Sequence, residues 1–115
     1  GGYTYQHFPR ACVNGNNIRK YPRKTVQECI ALCNQMEDCK GFEFGVAYGG
    51  SGHYQPGDCQ PSGPSTDMAG CDGSQWNLDF YLKIITVEAL MSDTMHRSTV
   101  NTHLLENLYC RTQIK

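Results

Sequence analysis

The chain has 115 residues, a formal net charge of −1 at pH 7 and seven cysteines. That length accommodates one domain and a tail, with a core that is marginal without covalent reinforcement, and so many cysteines point to secretion into an oxidising, extracellular setting. Interspersed acids and bases argue against nucleic acid or an anionic membrane as partner; no stretch reaches the roughly 18–20 apolar residues of a membrane span, and without a leader-like start the sequence reads as a mature, soluble product.

Taken from the N-terminus, Tyr3, Tyr5 and the region around Cys12 and Val13 are expected to supply a strand, followed by a turn at Asn14 and Gly15. Thr25 and Glu28 form a Thr-x-x-Glu capping box, which predicts helix onset near Val26. Val26, Cys29, Ile30, Cys33 and Met36 then recur at three- and four-residue spacing and share one inward face. The period changes to two at Phe42, Phe44, Val46 and Tyr48, alternating with Gly41, Glu43, Gly45 and Ala47, which predicts a strand. Glycines opposite the aromatic face would let a neighbouring element such as the helix approach the backbone.

Residues 49–74 are dominated by Gly, Ser, Pro and Asp and are expected to be mostly loop, pinned by Cys59 and Cys71. A second alternation, Trp76, Leu78, Phe80 and Leu82 against Asn77, Asp79, Tyr81 and Lys83, predicts another core strand. Residues 1–84 are therefore expected to form the domain and 85–115 a C-terminal extension. In the extension, stripes at Val87, Leu90, Met91 and Met95 and at Leu104, Leu105 and Leu108 predict two short helices, interrupted over residues 98–102 by poor helix formers.

Cys29 and Cys33 lie one turn apart on the same face, so each bridges most easily to a different partner. Cys39, just beyond the helix, can fold back to Cys33, and Cys59 can reach Cys29. Closing the latter loop is worth about 3–4 kcal/mol in the chain-entropy model. The run ECIALCNQMEDCKGFEF, a Cys-x3-Cys-x5-Cys helix leading into an aromatic strand with Cys59 further on, resembles the apple, or PAN, module over about residues 1–83. The resemblance implies an α+β fold in which a curved antiparallel sheet of about five strands packs on one helix, with Cys29–Cys59 and Cys33–Cys39 as core bridges. In the longer apple pattern the first and last cysteines join the module's termini; here Cys12 lies inside the first segment and Cys71 precedes the last strand. Cys12–Cys71 is the expected third bridge, with Cys12–Cys110 the alternative. An odd count leaves one cysteine over, and Cys110, isolated near the C-terminus, is the candidate for a free thiol or an interchain link.

The resemblance implies a non-catalytic recognition role, since apple modules bind proteins or carbohydrates in plasma proteases, plasminogen-like proteins and parasite adhesins. Sugar binding needs rigid aromatic faces beside planar polar groups. Tyr48, His53, Tyr54, Asp58 and Gln60 in the loop, with Trp76, Asn77 and Asp79 at the last strand, offer that combination, although Tyr48 and Trp76 also suit a core and the polar residues suit turns. The expectation is thus a lectin-like adhesion protein for a carbohydrate or glycoprotein ligand, acting as a homodimer or homo-oligomer through the extension and Cys110. The alternative is a protein-binding or assembly module without sugar affinity.

An enzyme is not expected, because six of the seven cysteines are better explained as bridges than as nucleophiles. No cofactor or metal site is expected either: His96 and His103 make too few ligands for structural zinc, and the cysteines lack paired Cys-x2-Cys knuckles. Calcium stays open, because Asp58, Asp67, Asp72 and Asp79 surround the loop, although outside the EF-hand spacing. There is no Asn-x-Ser/Thr acceptor for N-glycosylation.

Overall fold

Helix α1 (Val26–Gln35) begins at the capping box, where Thr25 Oγ1 accepts from the Glu28 N–H at 3.1 Å and Glu28 Oε1 accepts from the Thr25 N–H at 2.9 Å. The Thr25 backbone N–H, and after it the Thr25 hydroxyl, hold the Glu28 carboxyl below its usual pKa. The helix ends at Met36, whose N–H donates to Cys33 O at 3.2 Å, and Lys83 Nζ donates to the same carbonyl. A cation there complements the negative end of the helix dipole.

The computed structural model describes residues 3–15, 17–87 and 91. Around α1 it places strands β1 (Tyr3–Phe8), β2 (Gly41–Gly45), β3 (Cys59–Ser62) and β4 (Leu78–Ile85), and a single-turn helix α2 (Gly73–Trp76). The strands form one antiparallel sheet in the order β1-β4-β2-β3. Tyr5–Ile84 is one compact unit, and the candidate site lies wholly within it. Of the expected extension, only residues 85–87 and 91 are described, so its predicted helices and Cys110 fall outside the described residues.

Register decides which side chains share a face. Phe42 lies opposite Tyr81 and Pro61, and Phe44 opposite Asp79 and Cys59, so these six point to the α1 side. Phe42 stacks on Tyr81 with centroids 4.8 Å apart, and Tyr81 stacks on His7 at 4.3 Å. The core on this side unites Phe42 with Cys29, Cys33, Cys39 and Cys59. The disulfides Cys29–Cys59 and Cys33–Cys39 tie α1 to β3 and to the start of β2. Glu43 lies opposite Phe80 and Gln60, and Gly45 opposite Leu78, on the other side of the sheet. That side is covered by the segment around Val13, which Cys12–Cys71 fastens to the stretch before α2. Three disulfides in so small a domain suit an extracellular protein, and no helix among the described residues is long and apolar enough to cross a membrane.

Several expectations need correction. The sheet has four strands among the described residues rather than about five: beyond β3 the chain makes only the isolated bridges Asn17↔Ser62 and Tyr21↔Cys59, which shield that edge without extending into a ladder. A second helix, α2, accompanies α1. Residues 49–74 are mostly loop, as expected, and β3 lies within them; its Pro61 is accommodated because that proline sits where no N–H is needed by β2. The strand predicted through Tyr48 stops at Gly45, where any Cβ would collide with the Gln55 carbonyl, and Val46 turns to bond Asn77 O at 2.9 Å. Trp76 closes α2 instead of opening β4, because Asp72 caps α2 through the Ser74 and Gln75 N–H groups and Asn77 takes the left-handed conformation, φ 62°. Helix α1 packs on the aromatic face of β2, not on the glycines, and Gly41 makes room for the Phe80 ring. No strand forms at Cys12–Val13, since β1 ends at Phe8 before Pro9.

Candidate functional site

Asn77 organises the surface. Left-handed backbone at a non-glycine residue is tolerated best by Asn and Asp, and here it turns the amide back over the 46–52 segment. Its Oδ1 accepts from the N–H groups of Gly50 at 2.9 Å and Tyr48 at 3.2 Å, and its Nδ2 donates to the carbonyls of Gly52 at 3.0 Å and Gly50 at 3.1 Å. Gly52 N–H adds a bond to Gln75 O at 2.8 Å, an approach so close that a Cβ on Gly50 or Gly52 would strike α2. The clamp lays His53 and Tyr54 beside Trp76: the ring centroids are 6.4 Å and 6.3 Å from Trp76, and 4.4 Å from one another. Trp76 is 39% exposed, on a backbone held from both sides.

Tyr54 and Trp76 border a cavity of about 250 Å3 whose walls include Val13, Leu78 and the Cys12–Cys71 bridge, with Asn17 and Glu43 as polar lining. Glu43 is only 3% exposed. Its Oε2 accepts from the Val13 N–H at 2.9 Å and the Asn17 side chain lies within hydrogen-bonding reach, yet burial dominates and pushes the carboxyl above its ordinary pKa. Behind it, Asn17 Nδ2 donates to Gln60 Oε1 at 2.8 Å. Asn17 Oδ1 and Gln60 Nε2 are buried without a hydrogen-bond partner among the described residues, an uncommon condition in a native fold.

Tyr48 and Asp79 belong to a separate network on the α1 side of the sheet. Asp79 Oδ2 lies 2.7 Å from His7 Nε2, while its Oδ1 accepts from the Arg10 N–H at 2.8 Å and from the Tyr48 hydroxyl. Burial pushes the Asp79 carboxyl up, but these three donors outweigh it and hold the pKa below the usual value. Burial first, then the adjacent carboxylate, raise the Tyr48 hydroxyl. The Arg10 guanidinium covers the Tyr48 ring at 4.3 Å. With its oxygens engaged in this way, Asp79 pins the end of β1 to β4.

The eight residues nominated from sequence therefore separate. His53, Tyr54 and Trp76 come together as the aromatic rim, and Gln60 lies beneath the cavity against Asn17. Asn77 is the clamp, and Tyr48 and Asp79 are in the pinning network. Asp58 is buried, closing a turn by accepting from the Gln55 N–H at 2.9 Å, with Lys20 Nζ 3.9 Å away. The residues that sequence reasoning missed are Glu43 and Asn17. A charge on the alternate face of an aromatic strand reads as solvent-facing, although Glu43 between Gly41 and Gly45 on that face was an available hint. No group of three or more potential metal ligands assembles among the described residues. Asp67 and Asp72 serve local backbone bonds, to Ala69 and to Ser74 and Gln75. Comparison with family models, with curated proteins and with solved structures yields no match to this chain.

Proposed function

We propose that this chain is a secreted, non-enzymatic recognition module of apple/PAN type that binds carbohydrate at the Trp76–Tyr54 cavity. The observation that carries the proposal is the exposed, braced aromatic rim above buried carboxylate and amide groups. A pyranose is held by an aromatic face under its C–H groups and by planar polar groups on its hydroxyls, and pockets of this kind are apolar with a few convergent polar groups. About 250 Å3 lies below the roughly 300–1,000 Å3 of drug-sized sites, so it suits a single ring. The α1 framework, Cys29–Cys59 and Cys33–Cys39, is what the apple module would require. The non-enzymatic reading is supported by the engagement of six cysteines in disulfides and of Asp79 with three donors.

A glycan array followed by saturation-transfer NMR tests the proposal. Binding is expected, and Trp76→Ala is expected to remove it while leaving the fold intact; silence across neutral, acidic and amino glycans overturns it. The proposed dimer draws on the cysteine count. Six of the seven are paired within the domain, which leaves Cys110 without a cysteine partner in its own chain. A link to a second copy would give two sites and hence avidity for glycosylated surfaces. A non-reducing gel is expected to show the dimer, and Cys110→Ser to abolish it.

A further inference from the structure

We infer that the cavity is an ammonium subsite: the Glu43 carboxylate, with the Tyr54 and Trp76 rings at the border, takes a protonated amino group carried by the ligand. This deepens the carbohydrate reading, and rests on it for the remainder of the ligand, by naming an amino sugar in preference to a neutral one.

Two observations carry it. First, Glu43 is buried with partners that are both neutral, the Val13 N–H and the Asn17 amide. A buried carboxylate ordinarily has a cationic partner, because neutral donors recover only part of the lost hydration. None of the residues lining the cavity is a lysine, arginine or histidine; apart from Glu43, Tyr54 is the single titratable side chain there, and no charged group acts on Glu43. Second, the groups bordering the cavity are the two side-chain types whose faces attract cations most strongly, Trp and Tyr. An ammonium group has three donors and no acceptor, and carboxylate and aromatic face are both electron-rich. The raised pKa of Glu43 has the same origin, and a bound cation would reverse it by stabilising the ionised form, so binding should release a proton.

Calorimetry on the intact, disulfide-bonded chain decides the matter with four probes: glucosamine, N-acetylglucosamine, glucose and tetramethylammonium. Glucosamine should bind about tenfold or more tightly than its neutral counterparts. Glu43→Gln, which keeps an acceptor for the Val13 N–H, should erase that preference, so that glucosamine and glucose bind the variant alike. Tetramethylammonium, permanently charged, should bind more strongly as pH rises through the raised Glu43 pKa. Equal affinity for all three sugars overturns the ammonium subsite and leaves the carbohydrate reading standing. Binding of tetramethylammonium but of no sugar supports the subsite and overturns the carbohydrate reading, and no binding by any probe overturns both. If Glu43→Gln fails to fold, the pH profile of tetramethylammonium binding to the native chain decides alone: a flat or falling profile overturns the inference.

Discussion

The two faces of the sheet are built on opposite plans. On the α1 side, Phe42, Tyr81 and four cysteines close into a core, and the one buried carboxylate at its margin, Asp79, is satisfied by three donors. Across the sheet, Glu43 is buried beneath a cavity with neutral partners, and two amide atoms of Asn17 and Gln60 lack any. Unmet polar groups cost free energy in folding, so the second face is the less stable arrangement and the one suited to meeting a ligand. The first face supplies the stability that the second spends.

The comparison can be broken most forcefully on the α1 side. Replacing Cys29 and Cys59 together by Ala should cost about 2–5 kcal/mol, the usual loss for a native disulfide in a small secreted domain, and should abolish cooperative unfolding in urea at elevated temperature. Next comes the clamp. Asn77→Ala forfeits the four bonds to the 48–52 segment and places a Cβ-bearing residue without a polar side chain in left-handed conformation, costing about 3 kcal/mol. Asn77→Gly should cost about 1 kcal/mol less, since glycine tolerates that conformation. Thermal melts of both variants check the order.

Two of the buried carboxylates, Glu43 and Asp79, should respond to pH in opposite senses. Glu43 has a folded pKa above its ordinary 4.5, so the folded state holds that proton more tightly; its penalty is absent below 4.5 and grows as pH rises through the folded pKa, and stability falls across that window. Asp79 has a folded pKa below its ordinary 3.8, so its contribution is present above 3.8 and lost as pH falls through the folded value. Melting temperature against pH should therefore lose its decline above pH 4.5 in Glu43→Gln and part of its acid-side collapse in Asp79→Asn. Glu43→Gln should be at least as stable as the native chain at pH 7. A smaller effect is expected at the rim, where Trp76, 39% exposed and packed beside His53 and Tyr54, should cost about 1–2 kcal/mol as Trp76→Ala in urea titration while glycan binding is lost.

Helix α1 is legible in the sequence because its signals are local: the Thr25–Glu28 reciprocity spans one turn, and its buried cysteines follow the 3.6-residue period. The core of β2 and β4 is legible in type but not in extent. Alternation marks Phe42 and Phe80 as buried, yet Glu43 and Asp79 on the alternate positions are buried as well, because both faces of the sheet are covered. Period alone separates two faces and cannot say whether the second meets water. Strand β3 was hidden for a different reason: Gln60, Pro61 and Ser62 have little strand propensity, and they pair only because Cys29–Cys59 and the antiparallel register with β2 hold them there. Of the site, the aromatics Tyr54 and Trp76 could be nominated from residue type, whereas Glu43 and Asn17 could not.

The residue order by itself determined the cap, the amphipathic helix, the alternation of the aromatic strands and the cysteine supply, all properties carried within a few neighbouring residues. Only the tertiary structure decided that Trp76 leaves the strand for the surface, that Asn77 becomes a clamp, and that Glu43 is buried beside a cavity. The last two depend on segments 25 or more residues apart meeting, as Asn77 with Gly50 and Gly52 and Glu43 with Val13 do. Burial and hydrogen-bond satisfaction are set by such encounters, and no local pattern encodes them.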